Sequence, residues 1–361
     1  MIRLAKPYIA YEEVEEDLRD IFESGIFTKG KYSMLLPKKI AEYTGSKHAF
    51  LTTSATTALS LSLKILDIGP GDEVIVSDFS FPASANVVED VGVRTVLADV
   101  SLKTYNMQPE ELTRKITPQT KAVIFVDALG NPSGLEDIAD ICAQHNIPLI
   151  EDAACAFGSS VAKRKVGSIA DLTCFSMHPR KLLTTGEGGA ITTNNDEYAH
   201  LLKTKLNHGV DETGSYVTYG YNYRMPEIAC AMGCQQLETI DAVIEQRRSQ
   251  YNQYAEFLVP LGFLPQQEEG DVYTNRQSVV FSVPETVSRD ELIAALREKG
   301  IETTLGTYCL SACTYYREKY HDVQPCASWL QQNTITLPCY RELPLKEVCQ
   351  AIDCAVELSI M

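Results

Sequence analysis

Between residues 45 and 195 the chain sets down seven short runs of largely apolar, often β-branched residues. They are HAFLTT (48–53), EVIVS (73–77), VRTVLADV (93–100), KAVIFVDA (121–128), IPLIEDA (147–153), LTCFSM (172–177) and GAITT (189–193). A strand with one wet face alternates apolar with polar residues, whereas runs apolar at consecutive positions belong to strands covered on both faces. Between several of them lie segments of helical period. ATTALSLSLKIL carries Leu59, Leu63 and Leu66 on one stripe, and GLEDIADICAQH carries Leu135, Ile138 and Ile141. The alternation predicts an α/β fold built on a largely parallel sheet.

Near residue 206 the pattern changes. A Tyr/Gly-rich loop, GSYVTYGYNYRMP (214–226), precedes a long helical stretch from about 227 to 258. Then come a strand, SVVFSV (278–283), a helix, DELIAALREKG (290–300), that Gly300 stops, and a closing helix after Pro344. This reads as a smaller C-terminal α+β unit. The first forty residues read as an arm and a helix beginning near Pro37, since proline suits a first turn. A chain of 361 residues, at roughly 150 per domain, divides accordingly into an N-terminal arm (1–40), a large α/β domain (41–225) and an interdomain helix with the small domain (226–361).

Several function classes are disfavoured. With 32 basic and 48 acidic residues the net charge is −16, a field that repels nucleic-acid backbones. No apolar run reaches the ~18 residues of a membrane span. Glu12, Glu13, Glu15 and Glu16 fall where a signal peptide needs its apolar core, so a cytoplasmic protein is expected. The eleven cysteines form no CxxC pair and the six histidines no HExxH, so reduced thiols and no metal are expected. GxGxxG and GxxxxGK[ST] are both missing.

Three features carry chemistry instead. Thr53-Ser54-Ala55-Thr56-Thr57 follows a strand and opens a helix, where backbone N–H groups receive anions. Glu151-Asp152 ends the strand IPLIEDA, at the edge where open α/β sheets gather ligands. Lys181 lies in SMHPRK, just past another strand and before the glycine-rich TTGEGG, a setting in which a desolvated lysine is a nucleophile. An anion turn, a strand-end carboxylate and a lysine on one sheet match what pyridoxal phosphate needs for its phosphate, pyridine nitrogen and aldehyde.

In this order the motifs resemble the DegT/StrS-type nucleotide-sugar aminotransferases, members of the fold type I pyridoxal-phosphate enzymes. The likeness runs through GIFTKG (25–30), EYTGSKHAFLTTSATTALSLSL (42–63), GDEVIVSDFSFPASAN (71–86), GNPSGLEDI (130–138), IEDAACAFGS (150–159), FSMHPRKLLTTGEGGAITT (175–193) and GYNYRMPEIACAMGCQQL (220–237). It implies a mixed, largely parallel seven-stranded sheet sandwiched by helices, with a smaller α+β domain. It also implies pyridoxal 5'-phosphate as cofactor, with pyridoxamine 5'-phosphate as its amino-loaded intermediate. Lys181 becomes the Schiff-base lysine and proton shuttle, and Asp152 the partner of the ring nitrogen. Phe81 becomes the stacking ring, and Thr56, Ser176 and the backbone of Ala55 the phosphate cradle. Asn222 and Arg224 are expected in the neighbouring subunit's site of a homodimer, on the phosphate and the amino donor's carboxylate. Thr28, Lys29 and Glu187 are expected on the substrate side. His178 receives no catalytic role.

Some positions depart from the family pattern. Ala55 replaces a usual glycine, Cys155 a Gln or His at the ring hydroxyl, Asp127 a frequent His, and GTYCLSACTYY (306–316) a Tyr-Pro/His-rich segment. The implied activity moves an amino group from glutamate to a nucleoside-diphosphate-linked keto sugar, for lipopolysaccharide, O-antigen or related glycans, and the Thr184–Gly189 run favours C4. A related sugar dehydratase carries His where Lys181 stands. A non-enzymatic pyridoxal-phosphate-binding regulator would carry an added DNA-binding or sensor module, which the chain lacks.

Overall fold

The computed structural model describes residues 1–360, with side chains through residue 356. Its main sheet has seven strands in the spatial order His48–Thr52, Gly189–Thr193, Leu172–Ser176, Leu149–Asp152, Thr120–Val126, Glu73–Ser77, Arg94–Ala98. Gly189–Thr193 is antiparallel to both neighbours, and the pairs beyond it are parallel. All seven predicted runs are therefore strands of one mixed, largely parallel sheet.

Alternation along each strand assigns the two faces. Val74, Val76, Ile124 and Ile150 join the core under helices Ala55–Ile65, Ala83–Asp90 and Asp196–Leu206. Ile75, Val123, Phe125 and Leu149 join the opposite core, under Pro109–Lys115 and Leu135–His145. Asp152 lies two residues beyond Ile150, so it emerges on the face of helices Ala55–Ile65 and Ala83–Asp90.

A second, antiparallel sheet of Leu264–Pro265, Val279–Ser282, Thr334–Leu337 and Thr304–Leu305 packs with helices Arg289–Glu298 and Leu345–Ile360 around its own core. The helix Glu227–Leu258 contributes Ile240 and Ile244 to one core and Tyr251 and Tyr254 to this one. The chain's start is tied to the same sheet. Ile2 bridges Ile301, Leu4 N–H donates to Glu302 Oε2 at 3.0 Å, and the Cys339 N–H donates to the Leu4 carbonyl.

One expectation is corrected. The early helix does not begin near Pro37; it runs Lys31–Thr44 with Pro37 inside, and a further helix spans Tyr11–Ser24. The cause is a cap from far away in sequence. The buried Glu227 carboxylate accepts the N–H groups of Gly30 (2.9 Å), Tyr32 (2.7 Å) and Ser33 (3.0 Å), donors a helix start leaves without acceptors. A Cβ on Gly30 would stand 2.9 Å from that carboxylate, so glycine permits the approach. Although burial raises the Glu227 carboxyl, the hydrogen bonds from Ser33, Tyr32 and Gly30 prevail and hold it below the usual glutamate range.

Among the described residues all cysteines are free, no group of His, Cys, Asp and Glu is placed to hold a metal, and no helix is long and apolar enough to cross a membrane.

Candidate active site

The carboxyl ends of the parallel strands open into a cavity of about 530 Å³. It is lined by Ala55 and Thr56 from a helix start, Phe81 from the turn after a strand, and Asp152 and Cys155 from the strand end. Ser176, Lys181 and Glu187 complete this side, and Thr304 and Leu305 of the smaller sheet, with Gly306–Tyr308 after them, form the opposite wall. Two larger depressions, about 890 and 660 Å³, lie around Asn146–Pro148 at the amino ends of the same strands. Neither Lys181 nor Asp152 lines them, so size alone would select the wrong end of the sheet.

Asp152 is 6% exposed. Its Oδ2 accepts the Ser84 hydroxyl at 2.6 Å and its Oδ1 the Ala154 N–H at 3.2 Å. Burial raises its carboxyl above the usual range; the bonds from Ser84 and Ala154 and the charge of Lys181 oppose that rise without cancelling it. A carboxylate has about four acceptor positions, so capacity is left for a cationic partner. Behind it, on the other face, Asp127 meets Glu151, and Thr173 Oγ1 donates to Glu151 Oε2 at 2.6 Å. Burial and mutual repulsion hold Asp127 well up, and burial pushes Glu151 up to about 7. Asp127 thus belongs to a buried acid pair and does not line the cavity.

The helix start is capped from within. Ser54 Oγ accepts the Thr57 N–H at 3.1 Å and Thr57 Oγ1 accepts the Ser54 N–H at 3.0 Å. The leading N–H groups of Ala55 and Thr56, which a helix cannot satisfy internally, lie at the cavity. Gly189 allows this turn to seat on the sheet: a Cβ there would meet the Ser54 carbonyl at 2.5 Å.

Lys181 closes a turn His178-Pro179-Arg180-Lys181, its N–H donating to the His178 carbonyl at 2.8 Å. Gln277 pins that turn from the other side of the cavity, donating to the Arg180 carbonyl at 2.7 Å and accepting the Leu182 N–H at 2.8 Å. Lys181 Nζ donates to Cys155 Sγ at 3.0 Å. Burial, with Lys181 and Arg180 nearby, holds His178 below the usual histidine range despite the Glu187 charge.

The departing segment 306–316 is fastened to the chain just past the strand Glu73–Ser77. Tyr308–Cys309 pairs with Phe79–Ser80, and Asp78 accepts the Ser311 N–H (2.7 Å), the Ser311 hydroxyl (2.6 Å) and the Cys309 thiol (3.2 Å). Burial pushes Asp78 up to about 6 against those bonds. The Tyr308 ring meets Phe81 edge-on at 6.3 Å.

Eight of the predicted residues, Ala55, Thr56, Phe81, Asp152, Cys155, Ser176, Lys181 and Glu187, thus meet in one cavity. Thr28, Lys29, Asn222 and Arg224 do not line it. Lys29 Nζ donates to Asn207 Oδ1 at 2.9 Å on an exposed loop, Asn222 is exposed, its sequence neighbours Tyr221 and Tyr223 stacking their rings on each other, and Arg224 Nη1 is buried without a hydrogen-bond partner among the described residues. Sequence reasoning missed Ser84 and Gln277, and it reached Tyr308 only as part of the departing segment 306–316. Ser84, three residues past Phe81, offered only position as a signal, and Gln277 offered none.

The chain matches the DegT/DnrJ/EryC1/StrS aminotransferase family over residues 9–355. It is 37% identical to the GDP-perosamine synthase of Caulobacter vibrioides over 263 residues, 72% of this chain and 71% of that protein. It is 31% identical to the spore coat polysaccharide biosynthesis protein SpsC of Bacillus subtilis over 367 residues, 96% and 94% of the two chains. Spr1654 of Streptococcus pneumoniae, solved in a PMP form, superposes with a TM-score of 0.93 at 26% identity over 99% of this chain and 100% of that one. With the lysine, the strand-end carboxylate and the helix start in one cavity, and the match running nearly end to end, the chain belongs to the DegT/DnrJ/EryC1/StrS aminotransferase family and is a fold type I aminotransferase.

Proposed function

We propose that the protein transfers an amino group from glutamate to the C4 ketone of a nucleoside-diphosphate-linked deoxyhexose, using pyridoxal 5'-phosphate, in the cytoplasm, as a step in making an amino-sugar glycan. The observation that carries the reading is the meeting of Lys181, Asp152 and the Ala55–Thr56 helix start in one cavity. The names of the relatives, one making a GDP-linked amino sugar and one serving polysaccharide biosynthesis, support the substrate class.

The residues fit that cofactor. A buried carboxylate with spare acceptor capacity suits a protonated ring nitrogen, and a cation there would offset the burial that raises Asp152. A helix start suits a phosphate, to which Thr56 and Ser176 add hydroxyls. Phe81, 65% exposed at the cavity, offers a ring face. When bound, the cofactor supplies an aldehyde to carry the amine and a ring to delocalise an electron pair. Lys181 Nζ, held by its pinned turn, takes a proton from the reacting carbon and returns it. Asp152 keeps its charge beside the ring nitrogen, and Thr304–Tyr308 shield the cavity from one side.

The remaining predicted residues act in a homodimer. Exposed Phe22, Phe27, Met34, Tyr216, Val217 and Tyr219 are apolar surface for a second copy, whose partner site the 214–226 segment enters. Asn222 reaches the phosphate there. Arg224, with its unpartnered buried nitrogen, meets the donor's carboxylate as a guanidinium fork. Thr28, Lys29 and Glu187 face the sugar nucleotide. The units 1–40, 41–225 and 226–361 then serve as interface arm, cofactor platform and cavity wall.

Purified protein should be yellow, and borohydride should fix the chromophore on Lys181; a peptide map placing it on another lysine overturns the assignment. UDP-, dTDP- and GDP-linked keto sugars tested with glutamate, and the product's amine located by NMR, decide the substrate. An amine at C3 removes the C4 reading.

A further inference from the structure

Lys181 Nζ and Cys155 Sγ are 3.0 Å apart in the cavity. Both backbones are fixed. Gln277 and the His178 turn hold Lys181, and Asn275 Nδ2 donates to the carbonyls of Cys155 and Phe157 at 2.9 Å each. Most of the other cysteines differ by burial, and half-buried Cys313 and Cys326 and exposed Cys354 do not line the cavity. Cys142, Cys174, Cys230 and Cys309 are buried, and burial raises their thiols, which keeps them from the reactive thiolate form. Cys155 is half-buried and lines the cavity, within reach of any small solute that enters.

We infer that Cys155 is an oxidative modification site, at which a peroxide links its sulfur covalently to Lys181 Nζ. In the first step the Cys155 thiolate attacks one peroxide oxygen. The O–O bond breaks, sulfenic acid forms on Cys155, and the hydroxide released takes a proton from the Lys181 ammonium and leaves as water, so sulfur is oxidised, peroxide reduced and the amine left neutral. In the second step the neutral Lys181 amine attacks that sulfur. The S–O bond breaks and the departing hydroxide takes the amine's proton as a second water. The product is an S–N bond, two hydrogens lighter than the starting pair, and no further oxidant is consumed. Two thiols reverse it: one attacks the sulfur and releases the amine as a mixed disulfide, and the second frees Cys155 and leaves as a disulfide. Lys181 takes the part that a resolving cysteine plays at other redox-sensing thiols, and its fixed distance gives the second step a high effective concentration.

The consequence for the enzyme rests on the reading of Lys181 as the lysine that holds the cofactor; the link itself does not. While Lys181 is tied to the cofactor its amine is unavailable. The pyridoxal-loaded protein is then protected, whereas the cofactor-stripped and pyridoxamine-loaded forms are open to the link.

The test treats these three forms with a few equivalents of hydrogen peroxide and reads intact mass and peptide maps. We expect the stripped and pyridoxamine-loaded forms to lose two hydrogens and join the peptides carrying Cys155 and Lys181. Stripped protein so treated should lose at least ten-fold of its capacity to take up pyridoxal phosphate, read by absorbance, and dithiothreitol should restore it. Cys155→Ser should form no link. Lys181→Arg should stop at a sulfenic acid that dimedone traps on Cys155. Wild-type stripped protein in which Cys155 stays reduced, or is trapped as sulfenic acid without a link, overturns the inference. A link formed equally fast in the pyridoxal-loaded protein leaves the modification standing and overturns the role of Lys181 in holding the cofactor.

Discussion

Ser84 Oγ donates to Asp152 Oδ2 at 2.6 Å, joining the first turn of helix Ala83–Asp90 to the end of a strand 68 positions further along the chain. The bond opposes the burial that raises Asp152. Ser84→Ala should therefore let the Asp152 carboxyl rise further. A hydrogen bond to a charged group contributes about 1.5–3 kcal/mol. Turnover should fall roughly 10-fold, and the acid limb of the kcat profile should move to higher pH. An unmoved acid limb would detach Ser84 from the charge of Asp152.

Asp152→Asn should move activity and stability in opposite directions. Without the charge beside the ring nitrogen, turnover should drop by ~10²–10³. A carboxyl whose folded value lies above its unfolded one costs stability once pH exceeds the ordinary aspartate range, and the cost is full above the folded value. The cofactor-stripped variant should therefore melt at or above the wild type near pH 8, with the advantage fading in acid. Paired thermal melts at the two pH values check this, and lower stability of the variant at pH 8 contradicts it.

Glu227→Gln should loosen the helix Lys31–Thr44. The folded value of Glu227 is depressed, so its contribution is present above the usual glutamate range and lost as pH falls through the folded value. The variant should lose about 1.5–3 kcal/mol in urea unfolding at pH 7, and the gap to wild type should narrow below about pH 4. A gap that widens in acid contradicts the cap.

Subunit mixing tests the proposed sharing of sites between two copies. Lys181→Ala protein refolded with an Asn222/Arg224 double variant should regain activity, since one site of each heterodimer takes Lys181 from one chain and Asn222 with Arg224 from the other. A fourfold excess of either variant should lower the recovery. Confirmed heterodimers without activity remove Asn222 and Arg224 from the partner's site.

The main sheet was legible because both of its faces are covered: a strand such as Glu73–Ser77 must be apolar at Val74, Ile75 and Val76 alike, a pattern few other structures demand. The cavity's first side was legible because Asp152 and Ser176 each end such a strand and Lys181 follows one. What escaped depends on contacts without local signature. Pro37 suggested a helix start because the real start is fixed by Glu227, 197 positions from Gly30. Gln277 reaches the lysine turn across 95 positions, and nothing in its own neighbourhood points there. Asp127 stands next to strand residues in sequence, yet its face of the sheet, set by alternation from Phe125, turns it toward Glu151 and away from the cavity.

The ties of Ile2 to Ile301 and of Leu4 to Glu302 and Cys339 bear on how the chain comes to be folded. Leu4 and Ala5 line the cavity beside Leu337, so residues far apart in sequence form one wall. A chain emerging amino end first holds them unpaired until residue 339 is out, and contacts of such sequence separation slow folding. The sheet of residues 48–193 can assemble well before that point, but the enclosed cavity cannot. Cofactor capture is then a late event of biogenesis, and a chain truncated before residue 339 keeps Lys181 and Asp152 while lacking the chamber that makes them useful.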